Sequence, residues 1–165
     1  MAPYSSHRTL VQARSYIQDG TEFTPVEDFQ GVVTDKDYVT GAIELTVCGK
    51  KLISLKMWDL VDQLWAYLVN GLAALDRGDP FEIYFPDQPI FIKMVPKSSG
   101  KVEFSIAAHE KRSVEVDSRL FVQEMAYAAT LFFEELNRIQ PSSKGSYADT
   151  LGQLKRLSSQ ASSPN

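Results

Sequence analysis

The sequence predicts an α+β fold: an antiparallel meander sheet of about six to seven strands covered on one face by two amphipathic helices. Three observations predict it. Runs alternating apolar and polar residues stand before and after a long stretch whose apolar residues recur every three or four positions. A second stretch with that helical period closes the pattern. The links between the later strand-like runs are too short to join anything but antiparallel neighbours. The order strands, helix, strands, helix then lays both helices on one side of the sheet.

The first strand is expected from Leu10 to Ile17, with Val11, Ala13, Ser15 and Ile17 on one face, and it ends at an Asp19-Gly20 turn. Residues 21 to 40 carry Pro25, Gly31 and many acids and read as a connecting loop with one short element around Phe29 to Val33. GAIELTVCGKKLIS alternates Ile43, Leu45 and Val47 against Glu44 and Thr46, turns at Cys48-Gly49 and returns through Leu52 and Ile53, which is a hairpin. From Leu55 the period becomes helical: Leu60, Val61, Leu64, Leu68, Leu72 and Leu75 form one stripe, Ser54 is placed to cap it, and Gly78-Asp79-Pro80 ends it. Gly71 within that helix costs roughly 1 kcal/mol against Ala.

Four strands follow, Phe81 to Phe85, Ile90 to Val95, Lys101 to Ala108 and Ser113 to Val116, with Glu82, Tyr84, Lys93, Glu103 and Glu115 on the wet face. A second helix is expected from Arg119 to about Arg138, capped by Asp117 or Ser118, with Phe121, Met125, Ala128, Phe132 and Leu136 inside and Pro141 as its limit. Residues 1–139 form one expected domain. Residues 140–165, rich in Ser, Gln and Gly, read as a largely disordered tail in which Leu151, Leu154 and Leu157 make at most a short amphipathic turn.

Composition narrows the class. With 165 residues, 44% hydrophobic and 23% charged, the chain is an ordinary globule of one-domain size and not a disordered or disulfide-scaffold protein. No run reaches the ~18 uncharged residues of a membrane span, and the first residues lack a secretory apolar core, so the expected address is cytoplasmic. Seventeen Lys and Arg against 21 Asp and Glu leave a net charge of -4, which disfavours nucleic acid as a partner.

Catalytic chemistry has few candidates. Cys48 is the single cysteine, so it forms no internal disulfide, and it reads as a packed structural thiol. His7 and His109 are the two histidines, neither in a metal-ligand spacing, and His109 sits at an expected hairpin tip. Phosphate-cradling glycine motifs are missing, and Asp35-x-Asp37 lacks the rest of a calcium loop. The sequence therefore reads as that of a non-enzyme with no cofactor and no metal.

Binding is better supplied. Between Glu22 and Asp37 five acids, Glu27, Asp28, Asp35 and Asp37 among them, stand against the one base Lys36, a cluster that would steer a basic partner. Its alternative reading is a solvated loop that serves solubility. Trp58, Asp62 and Trp65 should line one edge of the first helix, two indoles beside carboxylates, which is the composition of an interface hot spot; otherwise both indoles cap the core. Tyr84, Asp87 and Gln88 surround a polar turn stiffened by Pro86 and Pro89, a rigid recognition element or simply a stiff hairpin.

The succession GAIELTVCGKKL, MWDLVDQLWAYLVNGL and FEIYFPDQPIFI, closed by an amphipathic helix, resembles small bacterial α+β immunity proteins of polymorphic or contact-delivered toxin systems. That resemblance implies a non-catalytic protein, monomeric or a weak homodimer, that occludes a basic toxin domain through an acidic surface. Acidic α+β chains of this length also resemble secretion or assembly chaperones, which are homodimers. A small hydrolase or ligand-binding domain is the third alternative.

Overall fold

A computed structural model of the chain describes residues 10–35 and 37–161, so the His7 reading lies outside the described residues. The architecture is α+β, with two antiparallel sheets in place of the single expected meander. The first contains β1 (Val11–Asp19), β2 (Glu22–Pro25), β3 (Thr40–Val47) and β4 (Lys50–Ile53) in the order β2-β1-β3-β4, with the two-residue β5 (Asp59–Leu60) also paired to β3. The second is the expected four-strand meander, β6 (Phe81–Tyr84), β7 (Phe91–Pro96), β8 (Lys101–Ala107) and β9 (Lys111–Asp117). Three α-helices stand among the described residues: α1 (Val61–Asp76), α2 (Ser118–Ile139) and α3 (Ala148–Ala161).

The sheets meet at the edges β4 and β9 without a backbone ladder. Lys50 Nζ donates to the Ser113 carbonyl at 3.1 Å, and Arg112 Nη1 to the Lys51 carbonyl at 2.8 Å. Both edges bring cations to this point, Lys50 and Lys51 from β4 and Arg112 from β9. Like charges set opposite one another oppose strand pairing, and edge lysines are a known means of preventing it.

The outward and inward alternation is as the period requires. Val11, Ser15 and Ile17 of β1, Ile43, Leu45 and Val47 of β3, and Ile92, Met94, Phe104 and Ile106 of the second sheet are buried. Against them α1 presents Val61, Leu64, Trp65, Leu68 and Leu72, and α2 presents Phe121, Met125, Ala129, Phe132 and Leu136. α1 packs on β3, β6 and β7, and α2 on β1, β8 and β9, so each helix bridges both sheets. Asp117 Oδ2 caps α2 by accepting from Leu120 N at 2.9 Å.

Several expectations are corrected. α1 starts at Val61, not near Leu55: Leu55–Met57 is a separate 3-10 turn, Ser54 makes no cap, and Asp59–Leu60 leaves to pair with Thr40 and Gly41. Gly71 is not a mere weakness of α1, because a Cβ there would lie 2.7 Å from the Phe81 ring. Residues 21–40 contain β2, held by pairing to the end of β1. Cys48 is not packed: it is exposed in the two-residue turn between β3 and β4, where it and Gly49 both have positive φ, 51° and 77°.

The expected disordered tail is likewise corrected. Gln140 and Ser143 are buried, and α3 lays Leu154 and Leu157 onto α1 and α2 as a third layer. Its helical spacing was visible, but the apolar groove between two distant helices that receives it was not. Among the described residues no helix is long and apolar enough to cross a membrane.

Candidate interaction site

The acidic segment after β2 is an ordered structure. Val26–Asp28 is a 3-10 turn whose Val26 is buried, and Phe29 and Val39 are also sunk in the core. Arg138, in the last turn of α2, donates to the Phe29 carbonyl at 2.6 Å and to the Val26 carbonyl at 3.2 Å. Glu135 holds the same guanidinium at 2.7 Å. Val33 N donates to the Ile139 carbonyl at 2.8 Å, and the buried Gln140 amide donates to the Asp35 carbonyl. Asp35 Oδ1 accepts from Asp37 N at 2.9 Å and Tyr38 N at 3.3 Å, which closes a local turn.

What this scaffold presents is acidic with apolar points. Asp28, Asp35 and Asp37 are exposed, and so are Val32 at 61% and Tyr38 at 56%. Glu27 is half-buried and paired with Arg14 at 2.9 Å, so it holds the 3-10 turn against β1 more than it faces a partner. Asp28 lies 3.9 Å from the same guanidinium.

The remaining expected site residues divide. Asp59 is buried and gathers the polar turn: its carboxylate accepts from Leu60 N at 2.7 Å, from Asp87 N at 3.1 Å and from Gln88 N at 2.9 Å. The Gln88 amide donates to the Trp58 carbonyl. Trp58, 45% exposed, and the turn Asp87-Gln88 are thereby one unit, beside which Tyr84, 62% exposed, packs against the Phe91 ring with centroids 4.9 Å apart and planes tilted by 50°.

Trp65 and Asp62 do not belong to a surface patch. Trp65 is fully buried, with its indole N–H on Ser15 Oγ at 2.8 Å, while Trp58 precedes the helix, so the expected shared edge does not form. Asp62 is 5% exposed and accepts from the Tyr147 hydroxyl at 2.5 Å, which ties the start of α1 to the segment before α3. Burial raises the Asp62 carboxyl above its ordinary range, against the lowering effect of Tyr147 and of nearby backbone N–H groups. Burial, then Asp62 itself, pushes the Tyr147 hydroxyl up.

Arg14, Arg138, Gln140 and Asp59 are the residues that position these elements. Their partners in other elements lie 13 to 112 residues away, and no local pattern announces them. Among the described residues, no group of three His, Cys, Asp or Glu is arranged to hold a metal ion. Compared with protein-family models, curated proteins and solved structures, the chain matches none.

Proposed function

We propose that the protein is a non-catalytic binding module that captures a basic protein partner, in the manner of an immunity protein neutralising a bacterial toxin domain. One observation carries the reading. The acidic loop 26–38 is clamped from beneath by Arg138 and Gln140 while Asp28, Asp37, Val32 and Tyr38 point to solvent. A surface ordered before the encounter loses little conformational freedom on binding, and acids around an aromatic anchor combine steering with contact area. The exposed Trp58 and Tyr84 with the turn at Asp87-Gln88 supply a second rigid aromatic element of the same character.

The test is co-expression with the product of the neighbouring reading frame. Growth rescue and co-elution of the two chains are expected, and the double change Asp28→Lys and Asp37→Lys should abolish both while lowering stability by no more than about 1 kcal/mol. Rescue by the charge-reversed protein would count against the loop as the interface. An isolated chain that elutes as a stable homodimer would favour the chaperone alternative.

A further inference from the structure

The seam between the sheets offers a site unrelated to the acidic loop. A cleft of about 720 Å³ opens where β4 and the Leu55–Met57 turn face the β8–β9 tip and the turn before Ile90. That volume falls in the range of small-molecule pockets, roughly 300–1,000 Å³. Its wall is apolar: half-buried Met57 and exposed Pro89 and Ala108 line it, backed by the buried side chains of Leu52, Ile90 and Ile106. Its rim carries the cations Lys51, Lys56 and Arg112 beside His109, with Glu110 the one acid among the lining residues.

The rim charge is unusual in a chain of net -4. Lys51, Lys56 and Arg112 line the cleft, and Lys50 reaches the same seam through the Ser113 carbonyl. Two are partly neutralised, Lys51 by Glu44 at 3.3 Å and Arg112 by Glu110 at 3.6 Å. Arg112 is also fixed by its bond to the Lys51 carbonyl, which holds the guanidinium at the cleft with further donors to offer. Lys56 has no ion pair among the described residues.

From this combination we infer that the seam cleft binds a small amphipathic anion, a carboxylate carrying an aliphatic or aryl body. The apolar body lies on Met57, Pro89 and Ala108, and the carboxylate meets Lys56 and Arg112. Apolar burial supplies affinity and the two cations supply orientation, since an Arg fork and a nearby ammonium are the natural receptors of a carboxylate. A neutral ligand would leave that rim unanswered, and a cation would be repelled by it.

Titration of the full chain with decanoate, followed by amide chemical shifts, tests the site. Saturable binding is expected, with shifts concentrated at Lys56, Met57, Ile90 and Ala108. Decan-1-ol, which keeps the chain and lacks the charge, should bind roughly tenfold more weakly, as should decanoate on the Lys56→Gln protein. Lys144→Gln, an equal loss of charge elsewhere, should leave affinity unchanged. Equal affinity for decanoate and decan-1-ol, non-saturating shifts spread over the surface, or indifference to Lys56→Gln would each overturn the assignment. So would an acidic heptapeptide that occupies the cleft while decanoate does not, since the occupant would then be a polypeptide.

Discussion

Replacing Asp59 by Ala removes the acceptor that joins the start of α1 to the turn at Asp87-Gln88. Its carboxylate, 3% exposed, serves three backbone N–H groups at 2.7, 3.1 and 2.9 Å. The Leu60 amide is left in a buried setting, a loss of about 1–3 kcal/mol. Those of Asp87 and Gln88 lie in a partly exposed turn and regain water, so each loses about 0.5–1 kcal/mol. The sum is about 3 kcal/mol, and for a chain of this length it lowers Tm by about 6–12 °C. Asp59→Asn, which retains one acceptor oxygen, should lose about half as much. Urea denaturation gives the free energy, and hydrogen exchange at Asp87 and Gln88 shows whether the turn has come loose. A loss below about 1 kcal/mol with unchanged protection of those two amides would refute the reasoning.

Three further outcomes follow from the packing. Gly71→Ala, which helix propensity alone says stabilises by roughly 1 kcal/mol, should instead be neutral to destabilising by up to about 2 kcal/mol, because the new methyl meets Phe81 at 2.7 Å; a raised melting temperature would contradict this. Trp65→Phe and Ser15→Ala should each destabilise by roughly 1–3 kcal/mol, and the double variant by less than their sum, as a double-mutant cycle in urea would show. For Asp62, whose carboxyl is raised above its ordinary 3.8 in the folded chain, the stability contribution is complete below that value and is lost as pH rises through the raised one. The urea midpoint should therefore fall relative to that of Asp62→Asn as pH rises above about 4, and parallel pH profiles of the two proteins would exclude the effect.

The expected acidic loop and polar turn were legible as composition, but what holds them was not. Asp28, Asp35 and Asp37 announce charge by their identity, whereas the side chains that order the loop, Arg138 and Gln140, come from the far end of α2. The indoles show the same division. Trp58 and Trp65 stand seven residues apart in a pattern that reads as one helical face, yet Trp58 falls before the helix because Asp59–Leu60 pairs with Thr40 and Gly41. A strand pairing twenty residues upstream cancelled the local period.

By itself the sequence determined the α+β class, the hairpin of β3 and β4, the four-strand meander and the buried faces of α1 and α2. Each rests on a period of two or of three to four residues, which neighbouring positions express directly. Only the tertiary structure decided that the sheet divides at a cationic seam, that α3 is a packed layer, and that Trp65 and Asp62 are interior while Trp58 is outside. Those outcomes depend on which charges and apolar grooves meet across long stretches of chain, and such meetings leave no mark on local spacing.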